Sequence, residues 1–542
     1  MELNIADIFE AVVEAVPERT ALVGATTRLT YRDLDKRSNR FAHHLLDCGV
    51  APGSFVGVLS HNRVEWLEAM IGCFKSRTVP VNLNHRYVAP ELRYVAENAD
   101  LAAIVLERSF IELVDESCEG LPLLNQRLVI DDRTPGEALS YEQALTSSRD
   151  DRSGFPTRSG DDLYVLYTGG TTGMPKGVLW RQEDLYLGPL GGTSRRGGPV
   201  TSVDDIRRRV PRDDARQTAL VVPPLMHGTA QWTSLSPLLS GGTVVLYTEH
   251  HFLPEKVWEL VERERVTVLV MVGDVMGRPL AEALERAPHA YDTSSLAIIL
   301  SSGAPLTDPV RDQLLAQIPR LRILNRLGSS ESGTMGVASG RGEDSSNPRN
   351  AKFAVSDDTA VLDEALSPVR PGSAVVGRLA RRGQIPLGYH KDPSGSAATF
   401  VVDADGTRWV LPGDFATVLE DGSITLLGRG STTINSGGEK IYPHEVEAAL
   451  KSHPDVFSAV VVGIPDERFG ERVAAVVQAR PDRSPSVEDL IDHCRTMVAG
   501  YKVPRTVKFV DEVPLTAVGK PDHRAARELL VNETAQGGSS AH

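Results

Sequence analysis

The stretch Tyr167-Thr168-Gly169-Gly170-Thr171-Thr172-Gly173-Met174-Pro175-Lys176-Gly177 sets four glycines and three threonines around one proline and one lysine. Glycine lets backbone N–H groups turn toward an anion and approach it closely. The threonine hydroxyls add donors, and the Lys176 ammonium adds a mobile positive charge. Such a set suits a triphosphate. The glycine spacing, and Gly177 where Ser or Thr would follow the lysine, separate it from the P-loop of ATPases and GTPases. The apolar run 163–166 ahead of it reads as a buried strand.

With these residues the chain resembles the adenylate-forming superfamily of acyl-CoA synthetases, stand-alone adenylation domains and luciferases. Further segments follow in that family's order from about Thr30 to Arg524. Pro223-Pro224-Leu225-Met226-His227-Gly228 resembles the segment that sets a histidine or aromatic ring beside the acyl carboxylate. The resemblance implies that His227 lines the carboxylate site and helps open the path for the CoA thiol. Ser302-Gly303-Ala304-Pro305, small residues after a strand, is similar to the family's adenine segment. Leu327-Gly328-Ser329-Ser330-Glu331 is similar to its aromatic-Gly-x-Thr-Glu element, with Leu327 where tyrosine usually lies on the adenine face. It implies that Glu331, together with Thr168, holds Mg²⁺, a hard cation that bridges phosphates.

Pro412-Gly413-Asp414 is similar to the Thr-Gly-Asp element, which places Asp414 on the ribose hydroxyls. In the segment Gly428 to Ile441, the resemblance gives Arg429 to the ribose or phosphate and makes Gly430-Ser431 an interdomain hinge. It lines the pantetheine tunnel with the backbones of Gly437 and Gly438, and adds Lys440 as a further CoA contact. Pro514-Leu515-Thr516-Ala517-Val518-Gly519-Lys520 matches the late lysine element and makes Lys520 the expected catalytic lysine, acting with His227 and Glu331.

What the resemblance implies is ATP-dependent activation of a carboxylic acid as acyl-AMP, then transfer to coenzyme A, with Mg²⁺ as cofactor. The alternative is an acyl-AMP ligase or stand-alone adenylation enzyme that loads a carrier protein. Amino-acid-activating relatives carry an acidic residue after the histidine segment. Here Gly228-Thr229-Ala230-Gln231-Trp232 has none, and an unpaired ammonium beside apolar walls is costly, so the acid is expected to lack an α-amine. Trp180-Arg181-Gln182-Glu183-Asp184, with Gly430-Ser431, looks most like synthetases for fatty acids and bulky polycyclic acids such as steroid side-chain carboxylates. Trp232, Val272, Gly273 and Met276 are expected at the acyl pocket.

The elements that must position these residues read as α/β. Short apolar runs at 54–59, 79–83, 102–106, 218–222, 243–247, 266–272, 296–300 and 321–325 read as strands, alternating with helical patterns at 64–74, 254–265 and 308–318. Thr30 and Asp33 form a capping box for a helix reaching about residue 46. The expected architecture is a large N-terminal domain of stacked parallel α/β layers with a small β-barrel-like subdomain, over 1–427. A hinge at 428–431 and a small mobile C-terminal α/β domain at 432–542 complete it. The Gly-, Pro-, Ser- and Arg-rich stretch 186–216 reads as a surface loop with a short helix at 203–209. Its arginines read as a solvated face ahead of a CoA-phosphate contact. His85 and Arg86 read as solvated loop residues, and the tail after 531 as polar and mobile.

Composition narrows the partners. A formal net charge of −14 over 542 residues argues against a nucleic-acid binder, which would show a basic face. The four cysteines, Cys48, Cys73, Cys118 and Cys494, have no metal-ligand spacing and read as reduced thiols of a cytoplasmic protein. The first nineteen residues lack a charged-then-apolar signal pattern, and no apolar run approaches the length of a membrane span. Peripheral membrane contact and a homo-oligomer stay open.

Overall fold

A computed structural model describes residues 3–130, 139–170, 173–192, 198–212, 217–304, 306–340, 352–436, 439–466, 470–498, 500–516 and 520–537. Parallel strands build its centre. Thr20–Val23, Thr243–Leu246, Thr218–Val221, Val268–Met271, Ile298–Ser302 and Arg322–Ser329 lie side by side in that order. Their near-continuous Val, Leu and Ile content follows from helices covering both faces. Strand alternation divides the side chains, so Val268 and Val270 enter one core while Leu269 and Met271 enter another. Beyond Arg322–Ser329 the sheet turns antiparallel through Gly333–Gly340 and Lys352–Val355. It then continues into the short strands of the 377–429 region, so this subdomain shares one sheet path with the parallel core.

A second parallel sheet holds Val79–Asn82, Phe55–Leu59, Leu101–Glu107, Gln126–Ile130 and Leu139–Ser140. The helix Tyr31–Asp47 starts on the expected capping box. The Thr30 hydroxyl accepts from the Asp33 N–H at 3.1 Å, and the Asp33 carboxylate accepts from the Thr30 N–H at 3.0 Å. The glycine- and threonine-rich stretch is the tip of a hairpin. Leu163–Gly170 pairs antiparallel with Gly173–Arg181, and Gly170 lies opposite Gly173. Gly388–Tyr389 adds a third strand. Thr171 and Thr172 lie outside the described residues.

The C-terminal unit has its own five-stranded sheet, led by the long antiparallel pair Val456–Asp466 and Gly470–Ala479. Helices Pro443–Lys451 and Val487–Met497 cover one face, and helix His523–Gly537 covers the other with Ala526 and Leu530. The residues that dock this helix, Ala526 and Leu530, precede 531, and the helix backbone runs past that point to Gly537.

In the 186–216 stretch, Val203–Arg209 is a helix as expected, and Arg207 and Arg208 are exposed, forming surface ion pairs. Arg207 pairs with Glu14 and Asp204, and Arg208 with Asp205, while Arg209 donates to the Gly198 carbonyl at 2.7 Å. His85 is no solvated loop residue. It is half-buried, with its ring 4.6 Å from that of His61.

Candidate active site

Strands of the central sheet, the 163–181 hairpin and one helix converge on a cavity of about 1200 Å³. The helix Gly228–Leu238 starts directly after His227 and lies along the parallel strands. Its start presses so closely on the hairpin that a Cβ on Gly228 would sit 2.6 Å from Leu166 Cδ2. Asn82 ties the same corner. Its amide donates to the carbonyls of Tyr167 (2.8 Å) and Met226 (2.7 Å), and its oxygen accepts from the Tyr167 N–H (2.7 Å). Tyr164 donates to Gln231 at 2.6 Å, and Gln231 donates to the Leu225 carbonyl at 2.9 Å. These bonds join the triphosphate-type hairpin to the histidine segment through backbone groups.

One end of the cavity is polar. Thr168, Ser302, Gly303, Ala304, Leu327, Gly328, Ser329, Ser330, Glu331 and Asp414 all line it. Gly328 is forced by its turn, since a Cβ there would meet the Gly333 oxygen at 2.1 Å. Glu331 accepts a hydrogen bond from the Tyr389 hydroxyl at 3.1 Å, and Trp180 Nε1 donates to the Ser330 carbonyl at 3.1 Å. Among the groups lining this end, the Glu331 carboxylate and the hydroxyls of Thr168, Ser329 and Ser330 are hard oxygens and suit Mg²⁺. Asp414 lies opposite Arg429 in the register of neighbouring strands.

The other end is an apolar channel between the helix and the sheet. Period-two positions form its floor: Gln217 and Ala219, Val268, Val270 and Val272, Ile298 and Leu300, then Leu324. Gly228, Thr229, Trp232, Thr233, Ser236 and Pro237 form the roof, one face of the helix at i, i+4 spacing. Trp232 meets Trp180 edge-on at 6.1 Å.

Lys520 reaches this cavity from the C-terminal unit. Its loop is closed by the Thr516 N–H, which donates to the Lys520 carbonyl at 2.7 Å, while the Lys520 N–H donates to the Thr516 hydroxyl at 3.2 Å. His227 stands on the junction of the polar and apolar ends. Burial pushes its pKa down to about 3, helped by the positive charges of Lys520 and Arg86 and by His85, so its imidazole is neutral.

Some expected residues are placed elsewhere. Lys176 lies on the outer part of the hairpin, 2.7 Å from Asp392 and 4.9 Å from the centre of the Tyr389 ring, and does not line the cavity. It stands directly opposite Thr168 across the hairpin, so the two side chains share a face. Gly273 opens a helix and donates to Ser301 Oγ at 3.0 Å, and Met276 packs into the core on the far side of the sheet. Of the expected acyl-pocket set, Trp232 and Val272 remain. Gly170 and Gly173 face each other at the hairpin end. Gly437 and Gly438, and the side chains of Arg429 and Lys440, fall outside the described residues. Sequence reasoning missed Asn82 and Tyr389, and noted Trp180 only for its neighbours. Asn82, beside a strand end, offers no local signal of the two carbonyls it joins.

A polar end, an apolar channel and a lysine brought in by a second unit suit a nucleotide-dependent acid-activating fold. The chain belongs to the AMP-binding enzyme family. It matches that family over residues 9–390, and the AMP-binding enzyme C-terminal domain over 445–520. It is 42% identical over 541 residues to a 3-oxocholest-4-en-26-oate–CoA ligase of Rhodococcus rhodochrous, covering 97% of this chain and 96% of the relative. It is 43% identical over 541 residues to a medium/long-chain-fatty-acid–CoA/3-oxocholest-4-en-26-oate–CoA ligase of Mycolicibacterium smegmatis, covering 98% and 97%. Its fold is similar to the crystal structure of the anthranilate CoA ligase AuaEII in complex with anthranoyl-AMP. That similarity has a TM-score of 0.82 at 23% identity, over 100% of this chain and 98% of the other.

Proposed function

We propose that the protein is an ATP-dependent acid–CoA ligase that activates a hydrophobic carboxylic acid, fatty or polycyclic of the steroid type, as acyl-AMP and transfers it to CoA. The carrying observation is that Lys520 and His227 face one cavity that continues as an apolar channel beneath Gly228–Leu238. The relatives named for fatty and cholestenoic acids support that substrate class.

In the first half, a carboxylate oxygen attacks the α-phosphorus of ATP and the bond to pyrophosphate breaks. Lys520 offsets the negative charge on the reacting oxygens, a fixed charge that needs no reorganisation during the reaction. Thr168 and Glu331 would hold Mg²⁺, which supplies neutralisation of the leaving pyrophosphate. Ser302, Gly303 and Ala304 lie along the purine, and Asp414 accepts from the ribose hydroxyls. In the second half, the thiol sulfur attacks the acyl carbon, the bond to AMP breaks, and the thiol proton leaves to solvent. The neutral His227 lines the carboxylate site and adds no charge that would compete with Lys520.

The domain division falls at 428–431, where Gly428 has a φ of +116°, open to glycine but strained for other residues. Rotation there would exchange the Lys520 loop for the 437–438 loop between the two halves, a hinge motion. The free thiols Cys48, Cys73, Cys118 and Cys494 suit a reducing cytoplasmic setting. No helix among the described residues is long and apolar enough to cross a membrane.

The test is pyrophosphate release across a panel of acids, with and without CoA. Turnover of dodecanoate and a cholestenoic acid, with acyl-CoA formed only when CoA is added, is the expected result. Efficient activation of free amino acids, or acylation of a carrier pantetheine but not of CoA, would overturn it.

A further inference from the structure

Outside the acid-activating cavity, two parallel sheets bring a second set of chemical groups together. His61 follows the strand Phe55–Leu59, and Glu107 ends its parallel neighbour Leu101–Glu107. His85 follows Val79–Asn82, the neighbour of Phe55–Leu59 on its other side. His250 comes from the central sheet, in the loop between Thr243–Leu246 and Pro254–Arg263. All four therefore sit beyond the C-terminal ends of parallel strands, the edge where open α/β sheets place ligands.

The geometry is close. Ligand atoms of His61, Glu107 and His250 lie within 4.8 Å of one another. The His61 and His250 rings stack at 4.1 Å with a 30° tilt, and the His85 ring lies 4.6 Å from His61. Glu107 Oε2 is 3.0 Å from His61 Nδ1 and accepts from the His61 N–H at 3.1 Å. Arg63 Nη1 lies 4.0 Å from the other oxygen. His85 Nδ1 is buried and meets no hydrogen-bond partner among the described residues.

We propose that His61, Glu107 and His250, with His85 beside them, form a binding site for one divalent ion of the zinc class. Imidazole nitrogens with one carboxylate are the donors that zinc takes and magnesium does not. Tetrahedral bonds of about 2.1 Å hold donor atoms about 3.4 Å apart, so the cluster closes by up to about 1.4 Å on binding. His250 is exposed, on the open side of the cluster. The ion would pin one sheet to the other. It would also fix the loop of His85 and Arg86, the latter a charge that acts on His227.

The experiment is a calorimetric titration of Zn²⁺ into the full chain in excess Mg²⁺, repeated with Co²⁺ and its visible absorption. One equivalent is expected, with an intense tetrahedral Co²⁺ band. His250→Asn should weaken binding at least about 10-fold, as should His61→Gln, and His251→Asn at the exposed neighbour should not. Because His250 is exposed, its loss leaves the fold intact, which circular dichroism checks. No binding to the unaltered chain, or binding undiminished in His250→Asn, overturns the proposal.

Discussion

Replacing Val270 by phenylalanine should convert the channel into one for short acids. Val268, Val270 and Val272 face it from one strand, so at about 3.3 Å per residue the floor from Val272 to Val268 spans about 13 Å. The roof agrees: the eight steps from Gly228 to Ser236 at about 1.5 Å each span about 12 Å. With C–C bonds near 1.5 Å, an extended chain advances about 1.25 Å per carbon, so the channel holds about ten methylenes. A ring at Val270 leaves about five. Dodecanoate then loses burial of about five methylenes at about 0.8 kcal/mol each, or about 4 kcal/mol. That is about 10³-fold in kcat/KM. Butanoate ends short of the ring and should change by less than a few-fold. Val268→Phe, one step deeper, should cost dodecanoate far less than Val270→Phe does. The assay is pyrophosphate release against chain length, with thermal midpoints to register an overpacking cost of about 1–3 kcal/mol. Equal losses for butanoate and dodecanoate in Val270→Phe, or no loss for dodecanoate, would refute the channel assignment.

Lys520→Ala should slow adenylation by about 10²–10³-fold and leave thioester formation from supplied acyl-AMP nearly intact; single-turnover kinetics of each half would expose an equal loss in both. Ser431→Pro, which fixes φ at the hinge, should impair passage between the halves, and unaltered kinetics would count against rotation there. Leu327→Tyr should tighten ATP by at most about 1 kcal/mol if stacking on the purine is gained, read by nucleotide titration. His227 is held neutral to about pH 3 while an unfolded histidine takes its proton near 6.5. Below 6.5 the unfolded chain therefore binds the extra proton, and stability falls with falling pH through the 6.5-to-3 window. His227→Gln should flatten urea-unfolding stability against pH there by up to about 1.4 kcal/mol per unit. His85, lowered to about 4, contributes with the same sign, so part of the slope survives.

Local chemistry fixed what the sequence alone reveals. The Thr30–Asp33 box, the β-rich runs at 218–222 and 296–300, and the order of the Gly-, Glu-, Asp- and Lys-bearing segments are short-range patterns. They state the family and the activity because each needs only its neighbours to be read. Pairing between distant segments decided the rest. The glycine-rich stretch continues a strand ladder as a hairpin because Gly170 faces Gly173, and that ladder carries Lys176 to Asp392 instead of the cavity. Alternation predicts that Val268, Val270 and Val272 share a face, but not which face a helix leaves open. Asn82 stitches Tyr167 to Met226, and Tyr389 meets Glu331, only after two sheets and a hairpin are docked. His61, Glu107 and His250 are ordinary residues in three separate segments until the C-terminal ends of parallel strands from different sheets are brought to one edge.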